Sequence, residues 1–455
     1  MSRKRAELEA VKSYLHLQQE GFESKRSSKI WRMICLLLQL VMGATLLFSG
    51  VVKGIDPIGT AIKIGEYATS VGISLPMWLS EGGAIFLNVL EALLGTALLL
   101  GLMPRITSLL TLVLMGGMTL ITLYILLYQP VSDCGCFGDA LKISNSATFV
   151  KNIFFLLFAL LLWIKRSRWV RLLSDGADLI LVVVAATLLI HFNLYPLSHL
   201  PVVDFRPYKV GRSLEELTLT NGEEGLYEHR YIYAKDGEER AYGIEELGEV
   251  EEGGNFVRDE TITIREAKQP EGLDFILLDD QGNNVVPHFI EKGDDLLLLF
   301  SRDLSRWHRR DVQKMASLME RYSWPFYIVS SQPRDLQQRD DMQPLLAASA
   351  GSLFLDHTTS VTALRSDPGV MAISRGVIQN KWTLTDFLKQ ANSTRKVQAL
   401  FEPRSILQKG WRYLASFGPL LLFALVVLVA GAIHRRQLRE LRGGAKGEQF
   451  FEVNE

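Results

Sequence analysis

Six long apolar stretches constrain this chain more than any other feature of its sequence. A helix needs roughly 20 apolar residues to cross a bilayer core, and each stretch approaches that length. Their only Lys or Arg residues are Lys53 and Lys151, both near segment ends. Helices buried in a soluble protein would carry a polar stripe, so the sequence predicts a helical membrane bundle in contact with the lipid bilayer. The stretches are residues 33–53, 83–103, 106–128, 147–164, 177–195 and 413–433.

Clusters of Lys and Arg predict how these spans are oriented, because such residues mark the cytoplasmic side of a membrane protein. They lie at 25–32, 165–171 and 435–442, and Arg105 lies in the turn between the second and third spans. This alternation predicts a multi-pass inner-membrane protein with both termini in the cytoplasm and residues 200–410 in the periplasm. The first 32 residues contain no apolar run of the kind that a signal peptide has, so we expect the first span to remain as an anchor.

The overall charge and the cysteine count exclude two classes of protein. With 49 Lys and Arg against 50 Asp and Glu, the net charge is -1. The chain therefore has no excess of positive charge that would attract a nucleic acid. The three cysteines, Cys35, Cys134 and Cys136, are too few for a fold held by disulfides. Any redox chemistry must therefore come from one pair.

Cys134 and Cys136 form the candidate catalytic pair, in a loop predicted to lie on the oxidising face, where disulfides persist. A disulfide between residues two apart closes a small ring that is hard to form and easy to reduce. Gly135 supplies the backbone freedom that such a ring needs. The spacing favours a thiol-exchange site, while an inert turn or a structural bridge stays open. No His accompanies the thiols in the loop, so we expect no metal.

Glu91, Lys53 and Asp56 are polar candidates in or beside the spans. An ionisable side chain within a membrane segment is costly and points to function by default. Glu91 is the acid that lies well inside a span, and either a proton or ligand role or a hydrogen-bonded pair that orients helices would explain it. Lys53 ends the first span, where it can meet an acid or extend to the headgroups.

These residues carry a resemblance to a known family. Several short segments within roughly residues 30–168, given at the end of this paragraph, resemble the MauE (methylamine utilisation) branch of the DoxX-like proteins. The resemblance implies a four-helix membrane bundle, similar in arrangement to the vitamin K epoxide reductases, and a link to disulfide formation in a partner protein. The segments are Phe48-Ser49-Gly50 with Lys53 and Asp56-Pro57, the helix of Glu91, and the loop Cys134-Gly135-Cys136-Phe137-Gly138.

The same resemblance bears on the cofactor. The vitamin K enzymes use Cys-x-x-Cys with a quinone, whereas this chain has Cys-x-Cys and no second pair of loop cysteines. The resemblance therefore implies no certain cofactor, and a quinone is the one it allows.

Two soluble parts are predicted between the fifth and sixth spans. Residues 200–272 are acidic and Gly-rich with short β-forming segments, which indicates a small β-rich subdomain. Residues 273–395 alternate strands and helices in the order β-β-α-β-α-β-β-α, which resembles an α/β thioredoxin-like fold with Pro368 at the position of its cis-proline. No cysteine follows Cys136, so this domain cannot perform dithiol chemistry by itself and is expected to bind or present a partner.

Arg302, Arg306 and Trp307 belong to a basic run in this second part. Such a run can bind an acidic partner or lipid headgroups, or it can be a solvated helix face.

We expect an integral membrane protein that supports thiol-disulfide exchange or the maturation of an envelope protein, its client. Two other functions stay open: a non-enzymatic scaffold or assembly factor of an envelope complex, and a membrane protein that binds a quinone or another small molecule. The predicted segments are a basic cytoplasmic arm (1–32), the four-helix domain (33–168), the fifth span (177–195), the β-rich subdomain (200–272), the thioredoxin-like domain (273–395), the sixth span (413–433) and a cytoplasmic tail (434–455).

Overall fold

The computed structural model divides the chain into two compact units. We call Met1–Phe205 with Ser405–Glu455 the membrane unit, and Arg206–Arg404 the sheet unit. The structure describes residues 2–129, 134–141, 143–171, 178–218, 226–235, 238–243, 255–265, 275–322, 325–393, 397–402 and 406–451.

Helices make up the described part of the membrane unit. Six of them precede the sheet unit, and a long C-terminal helix, Ile406–Phe451, follows it. The six are α1 (Ser2–Ile55), α2 (Pro57–Ser70), α3 (Met77–Leu100), α4 (Pro104–Tyr128), α5 (Asn145–Ile164) and α6 (Asp178–Ser198).

Within the described residues, six segments are helical, long and apolar enough to cross a bilayer, which is consistent with a multi-pass membrane protein. This confirms the six apolar stretches predicted from the sequence. The predicted arm, residues 1–32, is helical from Ser2 and continues into the first span, because no proline interrupts the chain before Pro57. The spans are Ser28–Ile55, Met77–Leu100, Pro104–Tyr128, Asn145–Ile164, Asp178–Ser198 and Lys409–Val429.

A close approach of α1 and α3 positions the polar residues of the membrane unit. The two helices form the largest helix contact in the described structure. A Cβ atom at Gly50 would lie 2.5 Å from the backbone nitrogen of Ala92, so only glycine fits there. Small residues of this kind let membrane helices approach each other closely. As a result, short side chains of α1 can reach α3.

The helix α2 lies between the first two spans and was not predicted, because its 14 residues are too few to cross a membrane. The carboxylate of Asp56 caps its first turn and accepts a hydrogen bond from the Gly59 amide at 3.3 Å, and Pro57 occupies the first helical position. Both are common helix-start signals. Asp56 thus has a structural role at the start of α2.

The sheet unit contains two sheets among its described residues. The first is antiparallel, with the order β2-β1-β3. It falls within the predicted β-rich region. The Asp236-Gly237 and Gly253-Gly254 pairs, whose composition predicts turns, lie outside the described residues. Its strands are β1 (Leu226–Lys235), β2 (Glu238–Gly243) and β3 (Asn255–Arg265).

The second sheet is mixed, with the order β6-β5-β4-β7-β8. Strands β4, β5 and β6 are parallel, whereas β7 and β8 run antiparallel to their neighbours. This confirms a separate mixed-sheet domain, and its likeness to thioredoxin remains a prediction. The strands are β4 (Leu296–Ser301), β5 (Phe326–Ser330), β6 (Gly351–Phe354), β7 (Gly369–Ser374) and β8 (Val377–Thr383).

Short helices surround this mixed sheet, and several depart from the predicted order: one precedes β4 and another lies between β6 and β7, where no helix was predicted. The predicted order has a single helix between β5 and β6, but the structure has two, because Pro344 cannot continue a helix and instead lies in the first turn of a new one. The helices are α7 (Leu214–Thr218), α8 (Val286–Lys292), α9 (Arg309–Tyr322), α10 (Pro333–Gln338), α11 (Gln343–Ala348), α12 (His357–Ala363) and α13 (Leu384–Ser393).

Candidate functional site

The two loop cysteines lie side by side between α4 and α5. Both thiols are free, and their Sγ atoms are 2.7 Å apart. Gly135 and Gly138 have φ angles of 61° and 54°, which glycine adopts at little cost. The Sγ separation exceeds the roughly 2.05 Å of a disulfide bond by less than an ångström, so the pair needs little movement to form one.

The surroundings shift the pKa values of the two thiols in opposite directions. The Cys136 thiol donates a hydrogen bond to the Cys134 thiolate and lowers the pKa of Cys134 to about 6, against the opposing effect of burial. The Thr148 hydroxyl and the Lys151 ammonium also act to lower it. The same thiol-thiol hydrogen bond, followed by burial, raises the pKa of Cys136. Partly exposed Cys134 is therefore the more acidic of the two thiols, and buried Cys136 is the less acidic one.

Aromatic packing anchors the residue that follows the pair. The Phe137 ring is buried and lies 5.7 Å from the Phe48 ring of α1, centroid to centroid. The Lys151 Nζ of α5 lies 4.7 Å from the centroid of the same ring, within the range of a cation-π contact. These contacts fix the loop against two different helices.

Two hydroxyl groups hold the backbone of the cysteines. The Tyr67 hydroxyl of α2 donates to the Cys134 carbonyl oxygen at 2.7 Å. The Ser49 hydroxyl of α1 lies 2.7 Å from the Cys136 carbonyl oxygen. Ser49 and Tyr67 were not among the predicted site residues.

A buried ion pair lies next to Ser49. Lys53 Nζ is 2.7 Å from Glu91 Oε1, and each side chain is only 2% exposed. The other carboxylate oxygen of Glu91 lies 2.7 Å from the Ser49 hydroxyl. Of the two alternatives for Lys53, the structure shows the contact with an acid. The sequence named both charged residues but did not pair them.

The helices around this site lie in a segment of the chain that matches a known family. The model of the family described as methylamine utilisation protein MauE matches residues 31–165. Residues 31–165 carry a MauE family domain. This MauE domain contains the cysteine pair, the ion pair and the first four spans, whereas the sheet unit lies outside the match. A search of curated proteins and a search of solved structures each found no match to the chain.

Outside the MauE domain, Pro368 and Arg302 come together in the sheet unit. The Asp367–Pro368 peptide bond is cis. The Asp367 carboxylate accepts hydrogen bonds from the backbone amides of Arg302 and Asp303. The buried guanidinium of Arg302 is thus occupied by contacts inside the unit. It donates to the backbone carbonyls of Ser360, Leu364 and Arg365.

The three residues predicted to bind a partner do not form one exposed surface. Trp307 is buried and donates its indole N–H to the Ser301 hydroxyl at 2.8 Å. Arg306 is 48% exposed and pairs with Asp303 at 3.5 Å. Arg302 and Trp307 therefore support the fold, because Arg302 binds backbone carbonyls in and after α12 and Trp307 turns back onto β4. Among the described residues, no group of three or more His, Cys, Asp or Glu side chains is placed to hold a metal ion.

Proposed function

We propose that the MauE domain exchanges disulfides with a client protein of the cell envelope, through Cys134 and Cys136. The observation that supports this is the 2.7 Å separation of two free sulfur atoms, one partly exposed and one buried. An inert turn gives no reason for one accessible thiolate beside one protected thiol, whereas a thiol-exchange catalyst needs both.

The exchange would proceed in two balanced steps. The Cys134 thiolate attacks a client disulfide, which forms a mixed disulfide and releases one client thiolate. The Cys136 thiol then loses its proton to water or to that thiolate, and its sulfur attacks the Cys134 sulfur. This forms the Cys134–Cys136 disulfide, releases the second client thiolate and transfers two electrons to the client. The reverse sequence oxidises a client dithiol.

The sheet unit is proposed to be a thioredoxin-like module that binds the client. Three parallel strands followed by two antiparallel strands in one mixed sheet support this likeness. Because no cysteine follows Cys136, the chemistry would remain with the MauE domain.

We further propose that the protein is a multi-pass inner-membrane protein with both termini in the cytoplasm and residues 200–410 in the periplasm. The basic clusters beside the spans support this orientation. A periplasm-dependent reporter fused after Arg395 should be active, and the same reporter fused after Arg442 should be inactive. Equal activity of the two fusions would contradict the orientation and the sixth crossing.

The alkylation of Cys134 at different pH values tests the proposed chemistry. In reduced membranes, the alkylation rate should rise with pH to a midpoint near 6 and then level off, because the thiolate is the reactive form. An ordinary cysteine, with a pKa of about 8.5, would be only a few per cent thiolate at pH 7. After mild oxidation, labelling should disappear, and a reductant should restore it.

The Cys35→Ser variant provides the matched background, because it leaves only the loop pair. Replacing Cys136 with alanine should move the midpoint upward, since the hydrogen bond that stabilises the Cys134 thiolate is lost. Thiols that label equally before and after oxidation would contradict disulfide exchange. That result would favour the scaffold or the small-molecule interpretation.

A further inference from the structure

The backbone carbonyls of the two cysteines each lie within hydrogen-bonding distance of a hydroxyl group, and the two hydroxyls come from different helices. Tyr67 contacts the Cys134 carbonyl and Ser49 contacts the Cys136 carbonyl, both at 2.7 Å. The exchange chemistry proposed above uses neither hydroxyl. Their symmetric placement on the two ends of one three-residue turn therefore needs its own explanation.

The turn has one backbone hydrogen bond of its own, from the Gly138 amide to the Gly135 carbonyl oxygen at 3.0 Å. Gly135 lies between the cysteines and Gly138 follows them, and glycine has more backbone freedom than any other residue. A hydrogen bond to each cysteine carbonyl fixes the peptide plane that follows that cysteine. The two hydroxyls therefore hold the Cα–Cβ bonds of Cys134 and Cys136 in the orientation that brings the sulfurs together.

The Ser49 hydroxyl is itself held in place. Its single proton is shared between the Cys136 carbonyl oxygen and Glu91 Oε2, each 2.7 Å away, while the other oxygen of that carboxylate pairs with Lys53. A buried ion pair keeps its geometry because both charges need their remaining hydrogen bonds satisfied. The ion pair thus fixes Ser49, and Ser49 in turn fixes Cys136.

We propose that the Tyr67 and Ser49 hydroxyls form a clamp that sets the reduction potential of the Cys134–Cys136 pair. This inference rests on the proposed function. By holding the dithiol close to the geometry of the disulfide, the clamp reduces the entropy lost on ring closure. The clamp therefore favours the disulfide and makes the potential more negative. Tyr67 and Ser49 are positioning residues, since neither touches a reacting sulfur in this mechanism.

Redox titration of the full-length protein tests the clamp. In glutathione buffers, Tyr67→Phe and Ser49→Ala should each reduce the ratio of disulfide to dithiol by about fivefold, as expected for one lost hydrogen bond. For a two-electron couple this is a shift of about 20 mV toward less negative potential. A purely structural role would lower the melting temperature and leave the potential unchanged.

Tyr124→Phe is the matched control, because its exposed hydroxyl contacts Ser70 at 3.4 Å and has no contact with the cysteines. Its potential should equal that of the unaltered protein. If Ser49→Ala does not fold, Tyr67→Phe still decides the question. Unchanged potentials in the folded variants, or an equal shift in Tyr124→Phe, overturn the clamp. The absence of a reversible disulfide in the unaltered protein would instead overturn the proposed function.

Discussion

Replacing Cys134 with serine is expected to reduce disulfide exchange by about a hundredfold or more, because Cys136 is buried and protonated at neutral pH and cannot replace it. The complementary variant, Cys136→Ser, should still attack a disulfide but cannot release itself. It should therefore accumulate a mixed disulfide through Cys134. Incubating membranes with a fluorescent peptide disulfide and separating the proteins without reductant would measure both effects.

Cys35→Ser is the control for this experiment. Cys35 lies on α1 in the apolar core of the membrane unit, where it is buried beside the Lys165 carbonyl oxygen. Its replacement should leave the exchange rate unchanged. Exchange at the normal rate in Cys134→Ser, or trapping that does not depend on Cys134, would contradict the proposed assignment of the attacking thiol.

Removing one partner of the Lys53–Glu91 pair should produce the largest loss of stability. Glu91→Ala leaves the Lys53 ammonium without its carboxylate in a site that is 2% exposed. Breaking a buried ion pair in this way typically costs about 3–5 kcal/mol of the free energy of unfolding. Replacing both residues, as in Lys53→Met with Glu91→Leu, should cost much less, because no buried charge remains. Thermal unfolding of the detergent-solubilised protein would compare the variants.

The pair formed by Lys63 and Glu66 in α2 gives a matched comparison. These residues are 3.0 Å apart, but their side chains are 25% and 41% exposed. Exposed pairs contribute about 0–1 kcal/mol, so Glu66→Ala should have little effect. If Glu91→Ala were equally mild, or if the double replacement were as damaging as the single one, the Lys53–Glu91 interaction would not be the source of stability.

The membrane unit was largely predictable because its signals are local in sequence. Apolar length identifies the six spans, and the chemical type of Cys134, Cys136, Lys53 and Glu91 identifies the candidates. The pairing of Lys53 with Glu91 was not predictable, because it depends on how closely α1 approaches α3. Tyr67 could not be recognised from the sequence, because its hydroxyl contacts Cys134, which is 67 residues away along the chain.

In the sheet unit, the sequence could not predict which residues of the basic run are exposed. A basic run next to a strand suggests a binding surface, but burial depends on where the chain turns after β4. Arg302 folds back onto three backbone carbonyls, and Trp307 reaches the Ser301 hydroxyl. Only Arg306 of the predicted set is largely exposed. The type of side chain alone therefore could not distinguish the buried residues from the exposed one.

The Lys53–Glu91 pair also has a consequence for synthesis of the chain. Lys53 is made 38 residues before Glu91, so the first span must enter the bilayer with a cation that has no partner yet. The cysteines follow later, after the third span, and Ser49 can hold Cys136 only once all these parts have assembled. A nascent chain that is halted early would carry neither a neutralised span nor a clamped thiol pair. The thiol pair would therefore reach its final reduction potential only after the bundle is complete.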